Sequence, residues 1–324
     1  MRVLITGVSG FVGPYLAEHI AEFAPEAELW GLVWSAETIQ APPMVRPIEG
    51  DLTDASSLSK VVREVRPELI LHLAAASSVA ASWARPSQCL EINAMGTINL
   101  LEAVRDLRLD SRVVVASSGE IYGAVPPAHQ PITEDAALCP LSPYAASKAA
   151  QDLIAAQYFR GYGIATVRLR LFHHTGPRRP PQFVASSFAQ QIARIERGLV
   201  QPKLAVGNLD AVRDFTDVRD VARAYWLAAT QGVAGDAYNV CSGRRISIRR
   251  VLDILLAHSD AKIEVEIDPD RLRAADIPCL IGDHTRISDA TGWQPEIQLV
   301  KTLGDLLEWW RKHFKGLGVN GSAK

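Results

Sequence analysis

Several features that would narrow the function of a protein are scarce or missing in this chain of 324 residues. It has four cysteines, Cys89, Cys139, Cys241 and Cys279, and their spacing contains neither a CxxC pair nor a metal-ligand pattern. Scattered cysteines in a chain of this length predict reduced, buried thiols rather than a disulfide framework or a zinc site. The adjacent pair His173 and His174 has no carboxylate or cysteine cluster with it in the sequence that would complete a metal site.

Charge of one sign and long apolar runs are missing as well. The formal net charge is −2, which provides no global attraction to nucleic acid or to an anionic membrane. The apolar runs stay well short of the ~20 residues of a membrane span, and the first residues lead from a strand pattern into a glycine-rich turn rather than through a signal peptide. We therefore expect a cytoplasmic protein without nucleic-acid or membrane partners.

What the chain does contain is an alternation of short apolar runs with amphipathic stretches. Runs such as RVLIT at 2–6, ELILHL at 68–73 and RVVVASS at 112–118 predict buried strands, and two long helices are predicted at 89–107 and 142–163. Continuous apolar strands that alternate with helices indicate a parallel sheet covered on both faces. The expected fold is a doubly wound α/β (Rossmann) architecture.

The pattern becomes looser after residue 172, which predicts a second, smaller unit of mixed α/β structure. We expect a nucleotide-binding Rossmann domain at 1–172, joined by parts of 213–243, and a substrate domain at 173–315. The last residues, 316–324, are rich in glycine and small side chains and predict a flexible tail.

A glycine-rich loop follows the first strand. The stretch TGVSGFVG places Gly7, Gly10 and Gly13, together with Phe11 and Val12, between a strand and a helix. Glycine is needed where a turn is tight and where backbone approaches a pyrophosphate, and the N-terminus of the helix then faces the anion. The loop is the predicted phosphate site of a nicotinamide dinucleotide.

Further cofactor contacts are expected where later strands end, at Asp51 and Leu52 and at Leu73, Ala74 and Ala75. The alternative for Asp51 is a turn or helix-capping aspartate.

The end of the second strand would normally distinguish the two nicotinamide cofactors, because an acidic residue there favours NAD and an arginine favours NADP. This chain has Val33 to Ala36 at that point and Glu37 slightly later. NAD(H) and NADP(H) both remain open, with NADP slightly preferred.

Tyr144 and Lys148 are four residues apart on a predicted helix and hence share one face. A tyrosine with a pKa of about 10 is a poor proton donor and acceptor at neutral pH. A neighbouring ammonium would lower that pKa, and the same lysine can hydrogen-bond the nicotinamide ribose. Tyr144 could then exchange a proton with a hydroxyl or ketone of the substrate. Ser118, at the end of a predicted strand, would hydrogen-bond the same substrate oxygen.

These motifs resemble one family along most of the chain. The glycine loop, HLAA at 72–75, Asn93, SSGEIYG at 117–123 and YAASK at 144–148 are similar to those of the extended short-chain dehydrogenase/reductases. The resemblance implies a nicotinamide-dependent enzyme with a nucleotide-sugar domain. It also implies a homodimer formed through a four-helix bundle of the two long helices.

The second half resembles the GDP-mannose branch of that family, in the stretches FHHTGPRRPPQFV, VGNLDAVRDFTD, YNVCSG and RLRAADIPCLIGD. This implies a GDP-sugar substrate, with Arg213 on the diphosphate, Arg273 and Asp276 around the GDP moiety, and Val184 beside the nucleotide. Ser78, Ser118 and His173 would contact the sugar, although the branch usually has asparagine where His173 stands. We expect Arg219 and Arg223 to be surface charges.

The branch contains dehydratases and reductases. Glu120 stands where the dehydratases place the base for the C5 proton, but it is preceded by Gly119, where many of them have Asp or Ser. The basic loop that dehydratases carry after the second strand is replaced by VWSAET, and PPQFVASS follows the GPRR stretch. We therefore expect reduction of the C4 ketone of GDP-4-keto-6-deoxy-D-mannose to GDP-D-rhamnose. GDP-mannose 4,6-dehydratase, another nucleotide-sugar epimerase or dehydratase, and a nicotinamide-sensing regulatory protein remain as alternatives.

Overall fold

The computed structural model describes residues 1–35, 41–271 and 277–315, and its largest sheet has seven parallel strands. In sequence order the first six are β1 Arg2–Thr6, β2 Glu28–Val33, β3 Arg46–Glu49, β4 Leu69–His72, β5 Arg112–Ser118 and β6 Thr166–Leu171. The spatial order is β3, β2, β1, β4, β5 and β6, and a later strand, Ala237–Val240, adds to β6. The order reverses between β1 and β4, which is where ligands bind in such sheets.

Helices cover both faces of this sheet, and alternate strand residues separate the two cores. Val3 and Ile5 of β1 face one core and Leu4 faces the other, as the two-residue period of a strand requires. The helices of the first half are α1 Gly13–Phe23, α2 Ala55–Val65, α3 Val79–Ala84, α4 Pro86–Leu90, α5 Gly96–Asp106 and α6 Pro143–Tyr162. The predicted doubly wound parallel sheet is confirmed.

The described residues of the second half add short strands and five α-helices, three of which pack in a further hydrophobic core. The strands are β7 His173–Thr175, β8 Lys203–Val206, β9 Val212–Arg213, β10 Phe215–Asp217, β11 Ala237–Val240, β12 Ile246–Ser247, β13 Glu264–Ile267 and β14 Cys279–Leu280. The helices are α7 Val184–Glu196, α8 Val218–Gln231, α9 Ile248–Ala257, α10 Thr285–Thr291 and α11 Leu299–His313. Within the described ranges, none of these helices has the length and apolarity to cross a membrane.

The helix predicted at 89–107 differs from the structure, where α4 and α5 are joined by a π-helical turn at Glu91–Met95. The side chain of Asn93 is drawn inward: its Oδ1 accepts from Ala76 N at 2.8 Å, and its Nδ2 donates to Ser147 Oγ at 2.8 Å. The wider turn lets the amide reach the loop after β4 and helix α6, and π-helical turns of this kind are frequent at functional sites.

Candidate active site

A cavity of about 1330 Å³ opens at the carboxyl ends of the central strands. It extends from the loop after β1, past the ends of β4, β5 and β6, to α7 and β9. The sequence-predicted residues that line it are Gly7, Gly10, Phe11, Val12, Gly13, Leu73, Ala74, Ala75, Ser78, Ser118, Glu120, Tyr144, Lys148, His173, Val184 and Arg213. Residues more than 200 positions apart in sequence therefore meet in a single site.

The glycine loop leaves no room for side chains next to the cavity. Gly7 has φ +73°, and a Cβ there would lie 2.7 Å from Ala74 N. A Cβ on Gly13 would lie 2.3 Å from Val8 O. Helix α1 starts at Gly13 without a side-chain cap or an acidic residue in its first turn, so its N–H groups and positive end suit a phosphate. The loop fits the pyrophosphate of a dinucleotide.

Asp51 and Leu52 are not among the residues that line this cavity. The Asp51 carboxylate accepts hydrogen bonds from the backbone N–H and the hydroxyl of Thr53, both at 2.8 Å, and so forms the turn before α2. Leu52 is nearly buried and its carbonyl accepts from Asn99 Nδ2 at 2.9 Å. Their cofactor contacts stay predictions. Glu37, Arg273 and Asp276 lie outside the described residues.

Tyr144 lies in the first turn of α6, which Pro143 and the Ser142 cap place directly beside the end of β5. The Ser142 hydroxyl accepts from Ala145 N at 3.1 Å. Burial raises the pKa of Tyr144 to about 12 and Glu120 pushes that pKa further up, while a hydrogen bond with Ser118 acts in the opposite direction. The pKa of the phenol is thus raised, where the sequence pattern predicted a lowered value, and Tyr144 is a protonated donor at neutral pH.

Lys148 makes its hydrogen bonds away from the Tyr144 hydroxyl, and burial is the largest cause of the raised pKa of Tyr144. The lysine Nζ donates to Ala116 O and to Gln151 Oε1, each at 2.7 Å. Burial lowers the pKa of Lys148 to about 7. The sequence spacing predicted which residues share a helix face, but burial of both groups decides the direction in which each pKa moves.

Glu120, in the 3-10 turn Gly119–Tyr122 that follows β5, forms a pair with His173 of β7. Glu120 Oε1 lies 3.7 Å from His173 Nε2, and the imidazole packs against the Phe215 ring at 5.8 Å between centroids. Parallel pairing of β7 with β10 sets this position. The backbone at Gly119 lies flat on Phe172, so that a Cβ there would be 3.0 Å from the ring. A larger side chain before Glu120 therefore requires the ring to move.

The other end of the cavity carries the basic group expected at a diphosphate. Arg213 on β9 is 7% exposed, and its Nη1 donates to Val212 O at 3.0 Å. Val184 begins α7 on the facing side. By contrast, Arg219 pairs with Asp217 at 2.7 Å, and Arg223 pairs with Asp220 at 3.1 Å. These two arginines support α8 rather than the cavity.

Arg179 is a cavity residue that the sequence did not single out. Its guanidinium lies 4.6 Å from the centroid of the Phe11 ring and 3.4 Å from that of Phe183, and burial lowers its pKa to about 9. The preceding Arg178 points outward and bonds Glu18 at 2.7 Å. In the sequence, the indication of this residue was a pair of arginines between two prolines. Which of the two arginines turns into the cavity depends on the geometry of the loop.

Comparison with known proteins identifies the family. A family model described as GDP-mannose 4,6 dehydratase matches residues 4–306. The chain belongs to this family. It is 36% identical over 314 residues to the GDP-6-deoxy-D-mannose reductase of Pseudomonas aeruginosa, covering 97% of this chain and 98% of that protein. It is 31% identical over 350 residues to a GDP-mannose 4,6-dehydratase of Vibrio cholerae, covering 94% and 92%.

Among solved structures, RMD from Pseudomonas aeruginosa complexed with NADPH superposes with a TM-score of 0.83 at 34% identity, covering 96% of this chain and 99% of that one. The family resemblance drawn from the motifs and the expectation of an enzyme of this family are confirmed.

Proposed function

We propose that this protein reduces the C4 ketone of GDP-4-keto-6-deoxy-D-mannose to the alcohol of GDP-D-rhamnose, with NADPH as the cofactor. Bound nicotinamide supplies the hydride, which goes to C4 of the sugar. Tyr144 donates its proton to the C4 oxygen and Ser118 holds that oxygen. A phenol whose pKa burial raises to about 12 is fully protonated at neutral pH, and a reduction consumes one proton at this position.

The observation that carries the direction of the reaction is the contact of Gly119 with Phe172. A dehydratase must deliver and remove protons at C5 and C6, which calls for polar side chains around Glu120. Here a side chain before Glu120 would press on the Phe172 ring, since its Cβ would meet the ring at 3.0 Å. Glu120 itself faces His173 at 3.7 Å. Likeness to the reductase of Pseudomonas aeruginosa over nearly the full length supports the same direction.

The proposal is tested with purified protein and two substrates. We expect no conversion of GDP-mannose, and we expect the 4-keto intermediate to be consumed in step with oxidation of NADPH, followed at 340 nm and by nuclear magnetic resonance of the product. Conversion of GDP-mannose to the ketone without an added reductant would identify a dehydratase instead. Binding of NADPH with no turnover of either sugar would favour a sensor.

The role of Arg213 at the diphosphate has its own expected result. Arg213→Lys keeps the charge but loses the planar fork that binds two phosphate oxygens at once. We expect the KM of the GDP-sugar to rise by roughly tenfold or more, with kcat changed by less than about threefold, because the lost contact is present before and during reaction. Steady-state kinetics measures both, and Arg249→Lys, an exposed arginine on α9, is the matched control. A fall in kcat as large as the rise in KM would place Arg213 nearer the reacting carbon.

We also propose a homodimer in which α4, α5 and α6 pack against the same helices of a second copy. Large apolar side chains are exposed on these helices and on the turn between α4 and α5: Leu90 at 45%, Met95 at 49% and Leu153 at 58%. Leu153→Arg should convert the dimer to a monomer in sedimentation velocity, since a charge would be buried at the interface. Val300→Arg, at a 50% exposed valine on α11, should leave the assembly unchanged. A dimer that survives Leu153→Arg would contradict this interface.

A further inference from the structure

A buried line of hydrogen bonds runs from Lys148 on α6 through α5 to the strands β4 and β1. Gln151 receives the Lys148 ammonium on Oε1 and donates from Nε2 to Thr97 Oγ1, both at 2.7 Å. Thr97 Oγ1 also contacts His72 Nε2 at 3.0 Å, and His72 Nδ1 contacts Thr6 Oγ1 at 2.8 Å. The side chains of Gln151, Thr97, His72 and Thr6 are all 0% exposed.

The hydrogen positions in this line are fixed from its two ends. Ala74 N donates to Thr6 Oγ1 at 3.1 Å, so the Thr6 hydroxyl is free to donate to His72 Nδ1. Thr97 donates to Asn93 O at 2.7 Å, so its oxygen accepts from both His72 Nε2 and the Gln151 amide. Burial lowers the pKa of His72 to about 3, which keeps the imidazole neutral with its proton on Nε2.

This order of donors leaves Gln151 a single orientation. Its NH₂ must face Thr97, whose own hydrogen is used on Asn93, and its oxygen must face Lys148. The reversed amide would set two donors against each other in a buried site, which is costly. An ammonium has three N–H donors. Ala116 O and Gln151 Oε1 take two of them, which leaves the third for a partner in the cavity that Lys148 lines.

We propose that Gln151 is a positioning residue for Lys148. Thr97 and His72 hold the Gln151 amide, and the amide oxygen orients the lysine Nζ toward the ligand. Because the amide carries no charge, the protein groups that bond Nζ are all neutral. The inference rests on the proposed function in that Lys148 serves the reaction there. The titratable groups around Lys148 are Tyr144 one turn earlier on α6, Cys89 on α4 and His72 on β4. Replacing the amide by a carboxylate or by an apolar side chain must therefore change the titration of Lys148 in opposite directions.

The first measurement uses the protein without substrate or cofactor. In protein labelled with ¹³C at the lysine Cε, the Lys148 signal is assigned by its loss in Lys148→Met and titrated by nuclear magnetic resonance. We expect an apparent pKa near 7 in the parent, a rise of roughly one to three pH units in Gln151→Glu, and a fall in Gln151→Met. Gln201→Glu, the same change at an exposed residue, should leave the titration unmoved. Identical titration in the parent, Gln151→Glu and Gln151→Met would overturn the proposal.

The second measurement is kinetic. Gln151→Met should lower kcat at pH 7 by about tenfold with little change in the KM of the ketone, and Gln151→Glu should restore kcat and move its alkaline limb to higher pH. A purely structural role would lower thermal stability in both variants and leave the position of that limb unchanged. If the parent does not reduce the ketone while the Lys148 titration shifts as expected, the proposed function fails and the positioning role stands.

Discussion

Tyr144→Phe should reduce kcat for the 4-keto sugar by roughly 10³-fold, within the range that a positioned general acid contributes. The change removes one oxygen atom, the one that we propose donates the proton to the oxygen at C4. The ring stays, and so does the backbone contact that anchors it, in which Tyr144 N donates to Ser82 Oγ at 3.1 Å. We therefore expect the Kd of NADPH and of GDP, measured by calorimetry, to change by less than about threefold.

The matched control for this variant is Tyr162→Phe. Tyr162 is at the far end of the same helix and is 51% exposed, so loss of its hydroxyl should leave kcat unchanged. Two outcomes would contradict the assignment of Tyr144 as the proton donor. Retained turnover in Tyr144→Phe would transfer the acid role to Ser118 or to water, and loss of GDP and NADPH binding would make the Tyr144 hydroxyl part of the structure rather than of the chemistry.

The parts of the site that could be predicted from sequence are those with local spacing. Gly7, Gly10 and Gly13 act within one turn, and Tyr144 and Lys148 within one helix face, so neighbours in sequence are neighbours in space. The sheet could be predicted for the same reason, because each strand is a continuous apolar run whose helices must cover both faces.

What could not be predicted depends on contacts between distant segments. The direction of the Tyr144 pKa shift depends on burial by elements from across the chain. The π-helical turn around Asn93 forms because a loop and a second helix both bond its amide. Gln151 reads as an ordinary helix residue until Thr97, 54 positions earlier, is found at 2.7 Å. Local composition contains none of these distances.

Contact with a distant segment also makes Gly7 a sensitive position for the proposed cofactor binding. Gly7 and Gly163 share φ +73°, a conformation that costs an L-residue about 1–2 kcal/mol. At Gly163 nothing lies within 4 Å of an added Cβ, whereas at Gly7 the Cβ would lie 2.7 Å from Ala74 N and 2.9 Å from Ala74 Cα. Gly163→Ala therefore reports the backbone strain alone, and Gly7→Ala reports that strain plus a collision with the loop after β4.

We expect Gly163→Ala to lower the free energy of unfolding by about 1 kcal/mol and to leave the Kd of NADPH unchanged. Gly7→Ala should lower the free energy of unfolding further and weaken the binding of NADPH by roughly 100-fold, equivalent to about 2.7 kcal/mol. The reason is that Ala74 and the glycine loop must move apart where both line the cavity. Urea unfolding and NADPH fluorescence titration measure the two effects. Equal NADPH affinity in Gly7→Ala and Gly163→Ala would show that the cofactor does not lie against this loop. In that case the hydride donor of the proposed reduction would have to bind elsewhere in the cavity, away from the uncapped N-terminus of α1.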